Sequence, residues 1–263
     1  MTRDQQPALS VFVIGMVGLG ILSLIYRDFA YEWQPVPACL PGRQILVLAS
    51  GLLLVVASVA LLFRTTVVIA VRVLFPYLLG WQLLKVPALI VAPGMEAVWL
   101  GFSEIAVLLA GGWVLFARFA HLENTAFFRH VTGEKGIRMV RILFAVALIP
   151  IGLSHIVCVK ITAGLVPAWL PFRVGWAYLT GVGQIACGLG VLFSVFARLA
   201  AMIEVGMLAI FAFLVWGPPI AAPNPRFPLT AFLITWAIGA SAWLVATNIP
   251  SKQNDMRKGE IHG

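Results

Sequence analysis

VPAWLPFR at residues 166–173 repeats VPACLPGR at residues 36–43, with six of the eight letters identical. The two copies are 130 residues apart, a spacing that we call the repeat offset. Further matches follow at the same spacing, such as Gly51 with Gly181 and Trp113 with Trp243. Matches over this length at one offset predict an internal duplication. The two prolines of each copy interrupt a helix and fix the backbone locally, so each unit is expected to contain one such turn.

The composition indicates a membrane protein. The chain has 263 residues, of which 61% are hydrophobic and only 11% charged, and its mean hydropathy is +1.00. Several apolar runs reach the length of a membrane span. The net charge of +8 does not indicate a nucleic-acid partner, because the basic residues are scattered and mostly flank apolar runs.

The apolar runs predict an all-α, polytopic transmembrane protein. Each run is close to the ~20 residues that cross the hydrocarbon core as a helix. They are continuously apolar rather than alternating, which disfavours a β-barrel, and in lipid the helix satisfies its own backbone. The eight predicted spans are 8–26, 44–63, 66–88, 98–117, 141–158, 174–196, 199–217 and 229–247.

The distribution of basic residues predicts the orientation. Eight spans place both termini on one side of the membrane, and that side carries eleven of the 18 Lys and Arg residues, against five or six on the other. The positive-inside rule therefore predicts cytoplasmic termini. The first apolar run is too long for an ordinary signal peptide and is interpreted as an uncleaved span.

The duplication predicts the domain organisation. Residues 1–118 and 141–250 each form a four-span unit, 119–140 form a cytoplasmic linker, and 251–263 form a polar cytoplasmic tail. Four spans return the chain to its starting side, so both units face the same way, related by an axis along the membrane normal. The expected architecture is two repeated four-helix bundles, and the sequence leaves open whether they pack as one body or two.

The repeated turn lies in the outer loop between the first two spans of each unit. Its tryptophan and arginines suit the headgroup region, where they favour a lipid-anchored turn. The alternative is a short re-entrant lid over a cavity in the bundle. The residues concerned are Pro37, Pro41, Arg43, Pro167, Trp169, Pro171 and Arg173.

Ionisable residues inside spans are costly and need a reason. Arg72 and Glu204 lie at matching depths in the third and seventh spans, because the repeat offset places Arg72 on Met202. This predicts an intramembrane ion pair between the halves.

A second group of polar residues lies near the outer ends of the spans. Lys85 and Glu104 form a candidate pair, His155 has a comparable depth, and Asp28 and Glu32 in the first outer loop could complete an outward cavity. His155, Lys85 or Gln184 could donate a hydrogen bond to a quinone carbonyl. The structural alternative is that Lys85 snorkels, His155 caps its helix and the acids are counter-charges.

The second unit resembles the DoxX family of bacterial four-span membrane proteins. The resemblance is carried by Arg141, by GLSH at 152–155 and by LVPAWLPFRVGWAYLTGVGQIACGLGVLF at 165–193. It implies a helical bundle in the cytoplasmic membrane, associated with quinone-linked sulfur oxidation or with membrane complexes that handle oxidative stress. The chain departs from the pattern where a glutamate common in the second helix is Gln184, or Leu54 in the first unit, and where His155 has Leu24 or Ile25 as its counterpart.

Three functions follow as alternatives. The first is a quinone- or lipid-binding subunit of a redox complex, with a soluble oxidoreductase partner and membrane lipids around it. The second is a small-solute or lipid transporter, which parallel repeats would suit. The third is a membrane scaffold without catalysis. Haem is disfavoured because the spans hold only one histidine, His155, and no metal-ligand spacing occurs.

Overall fold

The computed structural model describes residues 5–30, 33–122 and 128–249, and within these ranges the chain is helical without strands. The α-helices are α1 Gln5–Tyr26, α2 Arg43–Ala60, α3 Val67–Leu84, α4 Val86–Val91, α5 Glu96–Phe119, α6 Gly133–Val157, α7 Val159–Leu165, α8 Arg173–Leu192, α9 Ala197–Ile210 and α10 Arg226–Thr247. A π-helical stretch, Phe211–Trp216, and a 3-10 turn, Pro218–Ala221, continue α9.

Eight of these helical segments are long and apolar enough to cross a membrane, which confirms the predicted all-α polytopic fold. Six are single helices, and two are composite: Val67–Val91 joins α3 to α4, and Ala197–Ala221 joins α9 to the turns that follow. The largest shift from the predicted limits is at α6, which begins at Gly133. The predicted linker is therefore shorter than 119–140, because GEKGIRMV continues the helix towards the polar side.

The helices on the perimeter of the bundle present apolar side chains on the molecular surface. On α2 and α8 these include Ile45, Leu52, Leu179 and Val182, each more than two-fifths exposed. Apolar surface of this extent is not found on soluble monomers and is the surface that lipid covers. The burial pattern therefore agrees with the hydropathy in making the bundle a membrane-embedded one.

The eight spans pack as one body. Around its perimeter α1 contacts α2, α2 contacts α3, α3 contacts α5, α5 contacts α6, α6 contacts α8, α8 contacts α9, α9 contacts α10, and α10 contacts α1. The two most buried spans, α5 and α10, also pack against each other across the middle. The two four-helix units do not form separate bundles, because the first helix of each unit packs on the last helix of the other. Helix α1 packs on α10, and α6 packs on α5.

Helix starts recur at the repeat offset. Three pairs of helices begin at equivalent positions: Arg43 and Arg173, Val67 and Ala197, Glu96 and Arg226. The central helices also meet at equivalent positions, since a Cβ added at Gly111 would contact Ser241, and Arg118 Nε donates to Asn248 Oδ1 at 2.9 Å. A duplicated unit with a twofold axis between α5 and α10 would give this pattern; the duplication itself stays a prediction.

The repeated turns have the same local structure. The amide of Leu40 donates to the carbonyl of Pro37 at 3.3 Å, and the amide of Leu170 donates to that of Pro167 at 3.0 Å. The next helix then begins after a left-handed residue, Gly42 at φ +72° or Phe172 at φ +56°. Glycine adopts this conformation freely, whereas phenylalanine does so at a cost.

The turns lie on the surface rather than over a cavity. Pro37, Pro41 and Pro171 are exposed, Pro167 is half-buried, and Trp169 is 71% exposed. The re-entrant alternative is therefore not what the structure shows at these residues.

Candidate functional site

A small cavity of about 30 Å³ lies between four helices of the first half of the chain, α1, α2, α3 and α5, and the last helix, α10. Its wall is almost entirely apolar. Its distinctive side chains are two tryptophans, a glutamine and a tyrosine, Trp33, Trp81, Gln34 and Tyr77. The present volume holds one or two water molecules.

The polar groups of this wall are joined by hydrogen bonds. The Tyr77 hydroxyl lies 2.7 Å from Ser50 Oγ and accepts from Gln34 Nε2 at 2.9 Å. Gln34 Oε1 in turn accepts from the amide of Ala30 at 3.1 Å. The ring of Trp81 meets that of Tyr77 edge-on, with centroids 6.3 Å apart. The loop residue Gln34 is thus bonded to Tyr77 on α3, and through Tyr77 to Ser50 on α2, in the wall of the cavity.

Lys85 and Glu104 lie beside this wall. Glu104 Oε2 accepts from Trp33 Nε1 at 2.5 Å, which fixes the indole against α5. Lys85 is buried, and its Nζ lies 2.7 Å from where a Cβ on Gly101 would be, one helical turn before Glu104. The structure therefore places both predicted residues at the contact between α3 and α5. Glu32 lies outside the described residues.

His155 and Gln184 lie in the other half of the chain. His155 Nδ1 lies 2.9 Å from Thr180 Oγ1, and its ring packs against Phe211 at 5.7 Å. Gln184, one turn along α8 from Thr180, is buried and bonded to Glu204. The four predicted ligand-site residues are thus divided between two locations. Lys85 and Glu104 belong with the cavity, and His155 and Gln184 belong to the α6–α8–α9 contacts.

The predicted Arg72–Glu204 ion pair is wrong. Arg72 donates from Nε at 3.1 Å and from Nη2 at 2.7 Å to the carbonyl of Ala120, the C-cap of α5. Glu204 instead accepts from Gln184 Nε2 at 3.2 Å. A helix C-terminus carries unpaired carbonyls and partial negative charge, so it satisfies an arginine without a carboxylate.

The first of the two repeated turns ends in an ionic cluster. Asp28 accepts from Arg43 at the start of α2 and from Arg226 Nη2 at 2.6 Å at the start of α10. Burial would raise the pKa of Asp28, but the hydrogen bonds from Arg226 and Arg43 outweigh it and hold that pKa below its ordinary value. Arg173, the equivalent of Arg43, is exposed.

Sequence reasoning missed the four distinctive residues of the cavity. Trp33 and Gln34 belong to the loop after α1, in which only the acidic residues were predicted to line a cavity, and Tyr77 and Trp81 lie within an apolar run. A tyrosine about ten residues into a span was the available signal, since its hydroxyl needs a partner away from water.

The fold and its lipid-facing surface define the class: a polytopic α-helical membrane protein with eight spans. Residues 144–241 match a family described as a domain of unknown function, DUF8561. The match covers most of α6 to α10, which is well under half of the chain. No curated protein and no solved structure matches the chain.

Proposed function

We propose that this chain is a DoxX-like membrane subunit that binds the ring of a lipophilic quinone at the cavity between α1, α2, α3, α5 and α10. The observation that carries the proposal is the pairing of Tyr77 and Gln34 in an otherwise apolar, tryptophan-walled space. Binding sites for small lipophilic molecules have this composition, with few polar groups that orient the ligand.

The residues fit a quinone head group. A quinone offers two carbonyl oxygens as acceptors and a flat ring. The Tyr77 hydroxyl can donate to one carbonyl while it accepts from Ser50, and the indoles of Trp33 and Trp81 in the cavity wall supply aromatic surface for the ring. A bound quinone would supply electron and proton acceptance within the membrane.

The size of the cavity sets one condition. At about 30 Å³ it is smaller than a quinone ring, so binding requires the side chain of Gln34 to move aside. A quinone carbonyl would then replace the Gln34 amide as the partner of Tyr77. Gln34 belongs to a loop rather than to a helix, so this movement leaves the helix backbone unchanged.

The test is a titration of purified protein with a short-chain quinone, followed by quenching of tryptophan fluorescence. Tyr77→Phe is expected to weaken binding roughly 5-fold, the loss of one hydrogen bond of about 1 kcal/mol. Tyr178→Phe, on the exposed face of α8, is the matched control. Equal affinities for the two variants would reject the site. Phospholipid rather than quinone in the purified protein, detected by mass spectrometry, would identify a lipid site instead.

The proposal includes an orientation and a partner. The excess of Lys and Arg on one side supports cytoplasmic termini in a bacterial inner membrane. A redox complex of this kind needs an electron source, so we include a soluble oxidoreductase on the membrane surface. A green fluorescent protein fused to the C-terminus is expected to fluoresce, while alkaline phosphatase fused there should be inactive. The reverse pattern would contradict the orientation.

A further inference from the structure

Glu204 is a fully buried acidic residue, and only one of its two carboxyl oxygens has a hydrogen-bond partner in the described part of the chain. Its side chain is fully buried, and it lies seven residues into α9, about 10 Å along the helix axis. Glu204 Oε1 accepts from Gln184 Nε2, but Glu204 Oε2 and Gln184 Oε1 have no partner in the described part of the chain. Both unpartnered atoms are acceptors and belong to the same hydrogen-bonded pair.

No cation compensates this carboxyl group in the described ranges. The ion pairs of Arg43, Arg118 and Arg226 use Asp28 and Glu134 instead. Arg72 is bonded to the carbonyl of Ala120. Among the elements packed against α9, the neighbouring titratable group is the thiol of Cys187 on α8.

The remaining ionisable groups lie away from Glu204. Arg198 lies six residues earlier on α9 itself. Arg173 and Tyr178 lie at least two turns before Cys187 on α8, and Arg226 lies at the start of α10. The stretch Phe211–Trp216 has no titratable side chain and carries Phe211 against His155.

A buried carboxylate without a counter-charge is strongly destabilising, whereas a neutral acid whose hydrogen bonds are made costs far less to bury. A proton on Glu204 Oε2 removes the charge and turns that oxygen into a donor for Gln184 Oε1. One proton therefore satisfies both unpartnered atoms. We infer that Glu204 binds a proton in the folded protein and shares it with Gln184 as an acid–amide pair, which makes this location a proton-binding site inside the membrane.

The other half of the chain shows that the fold does not need this polar pair. At the repeat offset Gln184 and Glu204 correspond to Leu54 and Leu74, and both leucines are buried. An apolar pair thus packs at the equivalent position, so the polar pair is a property of the second half alone. The inference stands independently of the quinone proposal, because neither Gln184 nor Glu204 lines the cavity.

The test is infrared spectroscopy of the full-length protein in nanodiscs at neutral pH, in H₂O and in D₂O. We expect one C=O band of a protonated carboxylic acid that shifts in D₂O, disappears in Glu204→Gln and moves in Gln184→Leu. Glu134→Gln, which changes an exposed carboxylate, should leave the band unchanged. Dicyclohexylcarbodiimide, which attacks protonated buried acids, should label Glu204 and not the Gln variant.

Three results would overturn the inference. One is the absence of a protonated-acid band assignable to Glu204 at neutral pH. A second is a loss of that band on addition of Na⁺, which would make the pair a cation site. If Glu204→Gln does not fold, the double variant Gln184→Leu/Glu204→Leu, which copies the Leu54–Leu74 pair, provides the same comparison. A band that persists in that variant would also refute the assignment.

Discussion

Replacing Gly152 by alanine is expected to destabilise the bundle by about 1–3 kcal/mol, and replacing it by valine by more. A Cβ at position 152 would lie 2.5 Å from the carbonyl oxygen of Gly181, and a Cβ at 181 would lie 2.7 Å from that of Gly152. The obstacle on each side is backbone, so no side chain can turn away. Helices α6 and α8 would have to separate, which disrupts the packing on which helix association in membranes depends.

Thermal unfolding in mild detergent, followed by intrinsic fluorescence, measures this effect. Gly206→Ala is the matched control, because Gly206 also lies within a helix, α9, and an added Cβ there meets nothing within 4 Å. We expect the control to unfold at the wild-type temperature or slightly above, since alanine favours a helix over glycine. Equal unfolding temperatures for Gly152→Ala and Gly206→Ala would contradict the close packing of α6 on α8.

The spans and their number could be predicted because length and hydropathy are local properties of the sequence. The lipid environment requires a helix of about 20 apolar residues for each crossing. The start of α6 was harder to predict, because Gly133–Val140 is too polar for a span and yet belongs to the helix. Gly181 entered the sequence analysis only as a match to Gly51, because its close approach to Gly152 depends on how α6 and α8 are arranged.

The arrangement of the helices could not be predicted, because a sequence gives depth along the membrane normal but not position around the bundle. Arg72 and Glu204 have matching depths, yet α3 and α9 lie on different sides of the central helices. Each finds a partner in its own neighbourhood, a helix-end carbonyl for Arg72 and Gln184 for Glu204. The cavity escaped prediction for the same reason, since its wall comes from five helices and a loop.

Contacts between the two halves of the chain explain why the eight spans pack as one body. The end of α1 is tied to the start of α10 by Asp28 and Arg226, and the end of α6 is tied to the start of α5 by a hydrogen bond from Ser154 to Glu96. The repeat offset relates Arg226 to Glu96 and Asp28 to Cys158. Equivalent helix ends are therefore joined in both places, by an ion pair between Asp28 and Arg226 in one and by the neutral hydroxyl of Ser154 in the other.

Replacing Asp28 by asparagine is expected to destabilise the protein by about 1–3 kcal/mol at neutral pH, because two charge-assisted hydrogen bonds are weakened and Arg43 and Arg226 lose their shared counter-charge. Both arginine side chains are about one-fifth exposed, so water compensates only part of the loss. Glu134→Gln is the control. It removes a carboxylate that pairs with Arg118 but is 76% exposed, and an exposed pair contributes little.

The pH dependence gives the sharper test. The folded-state pKa of Asp28 lies below its ordinary value of 3.8, so its contribution to stability is fully present above the unfolded-state pKa. That contribution is lost as the pH falls through the lower, folded-state pKa. The unfolding temperatures of the wild type and Asp28→Asn should therefore differ at pH 7 and converge in the acid range below the ordinary value. A difference that is absent at pH 7, or that persists unchanged in strong acid, would show that Asp28 does not hold α1 and α2 to α10 through its charge.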